Sequence, residues 1–253
     1  MCFTPVDDVE CLASWLRGLG VLGVFWAKRV KGIEVVSRNP PTLVLKWQRS
    51  RRSKRAILTL CYVASHGCLD SLQGLVGKED TDILLVTASE LAQGQYDRWS
   101  KIFVYDVNGS FLDPNHEVSV EVYGPESIND YVTPIVEAVQ KSSWGFYNPP
   151  PKGVYVLVAR LHNGEPVGSA YYNRASSNVD FGIHVTKPYW RRRIGTRLLV
   201  EVARLAKSLD HGWVSVVRVI RGMKPTLSDR RAIAFYRANN PKHELNVYRL
   251  SMC

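Results

Sequence analysis

The sequence predicts an α/β chain of the α+β type, organised as two domains over residues 1–113 and 114–253. Three observations carry this. Short apolar runs with period-two alternation keep giving way to stretches with a helical period, so strands and helices are mixed along the chain. The 253 residues are 45% hydrophobic, enough for two modest cores. Charge divides the halves: residues 1–124 carry 14 Lys and Arg against 14 Asp and Glu, and residues 125–253 carry 19 against 9. The whole net charge of +10 therefore belongs to the second half and points to an anionic ligand or partner there.

In the first half, a helix is expected near Val6–Leu16, then apolar runs at Leu19–Trp26 and Gly32–Val36 as strands. The run "LGVLGVFWA" is far short of the roughly 20 residues of a membrane helix and reads as a buried strand. "TLVLKW" and "RAILTLCYV" form a hairpin with "QRSRRSK" at its tip. A helical stretch around Leu69–Val76 and the strands "DILLVT" and "KIFVYDV" complete an α+β domain without a chemical motif. The segment "DVNGSFLDPNHE", Asp106 to Glu117, is rich in turn formers and reads as a linker. The start "MCFTPVDDVE" lacks the basic-then-apolar order of a signal peptide, so a cytoplasmic protein with no membrane association is expected. Five cysteines without a C-x-x-C pair, and scattered histidines, lead us to expect neither a metal site nor a disulfide framework.

The second half is sharper. "VSVEVYG" is a strand, and "ESINDYVTPIVEAVQK" a helix with Ile128, Tyr131, Val132, Ile135, Val136 and Val139 on its apolar side and Pro134 as a point of kinking. "VYVLVARL" and "PVGSAYY" flank Asn163-Gly164, the strongest hairpin signal in the chain. "NVDFGIHV" is a strand, followed by a helix from Ile194 whose Ile194, Leu198, Val202, Leu205 and Leu209 share one stripe. "WVSVVRVI", "DRRAIAFYRAN" and "LNVYRLSM" add strand, helix and strand, for an order β-α-β-β-β-α-β-α-β.

The entrance of the helix at Ile194 breaks a rule. Helix N-termini favour Ser, Thr, Asp or Asn caps and acidic neighbours, because their free N–H groups form a partial positive pole. Here Arg191, Arg192 and Arg193 stand at that pole. An anion bound on the helix end resolves the conflict: it supplies the missing acceptors, and the arginines become its charge-assisted partners.

The segment "VTKPYWRRRIGTRLL", Val185 to Leu199, resembles the strand–loop–helix motif of the GNAT (GCN5-related) N-acetyltransferase superfamily, which contains R/Q-x-x-G-x-G/A. Val185, Tyr189, Ile194, Gly195, Leu198 and Leu199 fall on family positions, while Trp190 replaces the Arg/Gln and Arg193 the first Gly. "DRRAIAFYRANNP" resembles the family's second motif through Ala232, Ile233 and Tyr236, with Asp229 in place of an Asn. The resemblance covers the C-terminal half only. It implies a mixed, mostly antiparallel twisted sheet flanked by helices in residues 114–253. The first half, which repeats the order of helix, strands, helix and strand, reads as a degenerate copy of the same fold.

The resemblance also implies acetyl-CoA as co-substrate, no metal, and transfer of the acetyl group to an unidentified amine acceptor. Coenzyme-binding candidates are Ile183, His184, Val185, Arg191, Arg192, Arg193, Ile194, Gly195 and Thr196, with a backbone N–H near His184 or Val185 polarising the thioester carbonyl. Tyr236 is the candidate general acid, and Asp180 and His184, spaced to share a strand face, are candidate bases. At Arg193 two outcomes stand open. A left-handed backbone there costs roughly 1 kcal/mol or more; otherwise the loop takes another course, with the guanidinium outside the cradle. Coenzyme binding is then weakened rather than abolished. The aromatics of "SSWGFYNPPPKG" form either a rim for the acceptor or a small core that ties the loop down. Two alternatives to an enzyme remain, a catalytically idle acyl-CoA sensor and a nucleic-acid-binding protein, the latter not favoured.

Overall fold

This is a computed structural model that describes residues 11–12, 30–38, 41–49, 52–61, 81–92, 94–128, 130–220, 222 and 224–250. The strand expected at Leu19–Trp26, the helix around Leu69–Val76 and most of the helix near Val6–Leu16 lie outside these residues. The chain forms two compact units, interleaved in sequence: one takes Met1–Val104, Val217–Arg237 and Lys242–Cys253, the other Tyr105–Val216 and Ala238–Pro241. This partition differs from a single cut after residue 113, because the chain returns to the first unit after Val216.

In the first unit, β1 (Val30–Arg38), β2 (Pro41–Arg49) and β3 (Arg52–Leu60) are successive antiparallel neighbours. The β2–β3 pairing runs out to Arg49 opposite Arg52. The basic "QRSRRSK" stretch is thus mostly strand, where the sequence suggested a turn. β4 (Thr81–Thr87) joins β3 in parallel. β5 (Tyr96–Asp106) starts five residues before the apolar run that announced it, and helix α3 (Leu227–Ala238) also belongs mostly to this unit. The last strand, β11 (His243–Leu250), lies antiparallel to both β4 and β5 and so joins them. Cys11 and Cys61 are both buried and disulfide-bonded, against the sequence expectation. Their wide spacing matches no recognisable framework, so only the folded contacts reveal the bonding.

In the second unit, β6 (Ser119–Tyr123), β7 (Val154–Arg160), β8 (Pro166–Asn173) and β9 (Asn178–Val185) are antiparallel neighbours, and β10 (Trp213–Ile220) joins β9 in parallel. Three antiparallel strands followed by a parallel one, the succession β1 to β4, thus recur as β7 to β10. Helix α1 (Val132–Trp144) covers one face: Val132 and Val136 pack on Val154, Val156, Val158 and Tyr171. The sequence had this helix running from Glu126 to Lys141; the structure places a 3-10 turn at Pro125–Ser127 and begins the helix at Val132. That start puts Pro134 in the first turn, where its missing N–H would have no intrahelical acceptor, and leaves Tyr131 outside, 62% exposed. Helix α2 (Ile194–Ser208) packs on the opposite face through Ile194, Leu198, Leu199 and Val202. A Cβ at Gly168 of β8 would stand 2.9 Å from Leu198 and 3.3 Å from Ile194, so the absent side chain is what lets α2 approach the sheet.

Because β11 is the strand that joins β4 to β5, residues 1–113 expressed alone lack the element that covers both edges. We expect that fragment to be insoluble or without cooperative unfolding, and to recover when coexpressed with 114–253. A soluble, cooperatively melting 1–113 fragment by circular dichroism would refute this.

Candidate functional site

The turn into α2 has an unusual backbone. Arg191 and Arg193 take φ values of 63° and 57°, both left-handed, and Arg193 is the N-cap residue of a helix with no side-chain cap and no acidic residue in its first turn. Each such residue costs roughly 1–2 kcal/mol when it is not glycine. A left-handed residue leading into a right-handed one turns successive N–H groups toward one concavity, which binds anions. The first-turn N–H groups of α2 add to it, since they have no intrahelical acceptor. Of the cofactor candidates here, Ile194 and Thr196 have buried side chains and offer only backbone, while Gly195 at the second helical position is partly exposed.

The three guanidinium groups have different surroundings. Arg193 Nη1 donates to Asp113 Oδ2 at 3.1 Å and to the Asp113 carbonyl at 3.3 Å. Arg192 lies over the Tyr189 ring, 5.3 Å from its centroid, and Tyr189 is anchored by its hydroxyl to Glu165 at 3.1 Å. Arg191 is exposed and has no ion-pair partner among the described residues. Of the two outcomes left open for Arg193, the structure shows the left-handed backbone, with the side chain bonded to Asp113. Trp190, at the family's Arg/Gln position, is fixed instead by its indole N–H on the Val185 carbonyl at 2.6 Å.

The strand before this turn is also irregular. β8 and β9 pair Tyr171 with Asp180 and Ala170 with Ile183, so Phe181 and Gly182 are two extra residues in β9. Both have positive φ, and Phe181 is 49% exposed. Two extra residues preserve the parity of the strand, so Asp180 and His184 do share a face, the one α1 covers. His184 is buried with its ring 5.2 Å from that of Trp144. The Asp180 carboxylate accepts from Asn178 Nδ2 at 2.8 Å and Asn173 Nδ2 at 3.0 Å. Burial raises its pKa above the ordinary 3.8, and those two hydrogen bonds only partly oppose the shift. β9 pairs with β10 only at Asn178 and Val179, so Ile183, His184 and Val185 lie beyond that pairing.

The aromatic loop after α1 is tied down. Gln140 donates to the Tyr171 hydroxyl, which donates to the Asn148 carbonyl, while Asn148 N–H returns to Gln140 Oε1, all within 2.8–2.9 Å. Trp144 packs on His184 and on Phe146, which is 44% exposed. The loop is thus a small core with one aromatic face outward.

Tyr236 belongs to the first unit. It is 4% exposed on α3, with its ring 5.3 Å from Phe103 and 5.0 Å from Phe235. The start of that helix explains the Asn-to-Asp departure at Asp229. Thr226 N–H and Oγ1 donate to Asp229 Oδ2, Asp229 N–H donates back to Thr226 Oγ1, and Arg218 neutralises the carboxylate. This is a capping box closed by an acid. Among the described residues no cluster of His, Cys, Asp and Glu could hold a metal ion, and no helix is long and apolar enough to cross a membrane.

The site is thus a strand, a left-handed turn and an uncapped helix on a mixed sheet. The sequence model of the acetyltransferase (GNAT) family matches residues 122–239, in the C-terminal half where the sequence motifs lie. No curated protein sequence matches. Among solved structures, the chain is similar to a GCN5-related N-acetyltransferase from Kribbella flavida, at 12% identity over 97% of this chain and 96% of that one, TM-score 0.48. It is also similar to L-PGS from Bacillus licheniformis, at 10% identity over 84% and 82%, TM-score 0.45. A GCN5-related N-acetyltransferase from Sphaerobacter thermophilus gives 13% identity over 82% and 76%, TM-score 0.43. Members of the family generally use acetyl-CoA, and the donor-rich turn at Arg191–Thr196 suits its phosphates in chemistry and charge.

The sequence reading missed the segment 113–115, whose turn-forming composition looks like a linker, and the bulge at Phe181, which the glycine inside a strand does signal. One substitution separates strain from function. Arg191→Gly relieves a left-handed arginine and should stabilise the free protein by about 1 kcal/mol, roughly 2–4 °C in Tm. It also removes the uncommitted cation and should weaken coenzyme A binding several-fold by calorimetry. Loss of both stability and affinity would mean that the left-handed turn is not strained.

Proposed function

We propose that the protein is an acetyl-CoA-dependent N-acetyltransferase of the cytoplasm that transfers an acetyl group to a primary amine by direct attack in a ternary complex. The observation that carries this is the uncapped, left-handed turn at Arg191–Ile194, which gathers backbone donors at the start of α2 beside the exposed Arg191 guanidinium. In this reading the N–H groups of Arg193 to Thr196 and the Arg191 guanidinium hold the coenzyme phosphates. The edge of β9 at Ile183–Val185, beyond its pairing with β10, receives the acyl chain, and a backbone N–H there polarises the carbonyl.

The amine nitrogen forms the new C–N bond as the C–S bond breaks. Asp180 takes the amine proton through water, and the departing thiolate takes up a proton, for which the family resemblance offers Tyr236. A raised carboxyl pKa makes Asp180 a better proton acceptor than an ordinary aspartate, and burial supplies it. The basic half of the chain disfavours polycationic acceptors. The exposed Phe146 and Phe181 fit an amine on an apolar scaffold.

The experiment is calorimetric titration of the whole chain with acetyl-CoA, followed by acetyl transfer to peptide N-termini, lysine and small amines, read by mass spectrometry. Coenzyme binding without turnover on any amine would favour an acyl-CoA sensor; no binding at millimolar coenzyme would remove the reading. Given turnover, Tyr236→Phe keeps the ring packed on Phe103 and should lower kcat by on the order of 10²-fold with coenzyme affinity within a few-fold. Full turnover by the Phe variant would leave the thiolate to water.

The pH profile tests the base. Folded Asp180 holds its proton more tightly than the unfolded chain does. Its contribution to stability is therefore complete below pH 3.8 and lost as pH rises through the raised value. In kcat/KM the same group should give an acid limb above pH 3.8, which Asp180→Asn abolishes together with about 10²-fold of rate. A limb that survives Asp180→Asn and is lost in His184→Gln would assign the base to His184.

A further inference from the structure

We propose that Asn115 is a positioning residue that holds the anion-binding turn in its binding shape from behind. The inference rests on the coenzyme-binding reading above and lies outside it, because Asn115 precedes the family-matched span and touches none of the residues' donor groups. Its side-chain Nδ2 donates to the Arg192 carbonyl at 2.8 Å, and its backbone N–H points to the Arg193 carbonyl at 3.4 Å. Its Oδ1 accepts from Glu117 N–H at 2.7 Å, so the amide is fixed at both ends.

The peptide plane explains why bonds to carbonyls control N–H groups. The carbonyl of Arg192 and the N–H of Arg193 are opposite ends of one rigid trans unit, as are the carbonyl of Arg193 and the N–H of Ile194. Holding the two carbonyls on one side aims the two N–H groups to the other. This is needed here because the residue between them is an arginine at φ 57°, where the family carries glycine. An arginine left to itself favours right-handed or extended backbone, and either would rotate one of the two planes and withdraw a donor. Asp113 assists by keeping the Arg193 guanidinium on the Asn115 side of the turn, at 3.1 Å, with its own carboxylate shared with His116 at 3.2 Å. Asn115 thus supplies externally the conformation that glycine would adopt unaided.

The test is a double-mutant cycle on the full chain, with free coenzyme A as the titrant in calorimetry. Asn115→Ala should raise Kd about tenfold, the worth of one good hydrogen bond, with the Tm of the free protein almost unchanged. In an Arg193→Gly background the same substitution should cost less than about threefold, because glycine populates the left-handed conformation without support. That rescue separates positioning from a structural role, which would give equal losses in both backgrounds. Equal losses, or a change under twofold in the single variant, would overturn the assignment. If Asn115→Ala does not fold, Asn115→Ser, which keeps an acceptor for Glu117 N–H but is too short for the Arg192 carbonyl, carries the same expectations. Failure of the parent chain to bind coenzyme A would overturn the underlying reading instead, and is read from a separate titration.

Discussion

The second unit centres on the first backbone N–H groups of α2, which have no intrahelical acceptor and no side-chain cap. An uncapped helix end beside two left-handed residues is a poor way to build a stable protein, since each feature costs on the order of 1 kcal/mol. Around it the chain is consistent: α2 is seated on the sheet by Ile194, Leu198 and Val202 and brought close by Gly168, and Tyr189, Trp190 and Arg193 are each anchored to a different element. Strain concentrated at one turn and support distributed around it is the arrangement expected where a ligand completes the structure.

The first unit has no comparable turn among its described residues, yet it has the same succession of strand senses. Its buried polar groups serve packing and charge. Lys101 of β5, almost fully buried, pairs with Glu244 of β11, which Arg237 of α3 also holds at 2.8 Å. Those partners bring the Glu244 carboxyl down to about 2. The cluster joins elements from both ends of the sequence.

What the sequence revealed follows from the range of the forces involved. The stripe of α2, the Asn163-Gly164 hairpin and the strands β7 to β10 were legible because periodicity and turn chemistry act over a few residues. So was the irregular entrance of α2, since three arginines at an uncapped helix start contradict a local rule. The start of α1 was misjudged because apolar spacing continues upstream of Val132, whereas the tolerance for Pro134 depends on where the first turn falls. The brace at Asp113 and Asn115 was illegible for another reason. Turn formers whose partners, the Arg192 carbonyl and the Arg193 guanidinium, lie some 80 positions away leave no period and look like any solvated connection. The neighbours of β11 were hidden likewise: its sequence specifies a strand, while its partners β4 and β5 are set by the fold.

The position of β11 has a consequence for synthesis on the ribosome. β4 and β5 emerge early, and the strand that joins them follows only after the whole second unit has been made, on the order of ten seconds later at 5–20 residues per second. Throughout that interval the edge of β4, with its apolar run Ile83 to Val86, has no β11 to pair with, the kind of surface on which chains associate. The second unit has all of β6 to β9 and α2 in hand before β11 exists. The strands of the second unit are therefore all available before the sheet of the first unit can close across β4 and β5.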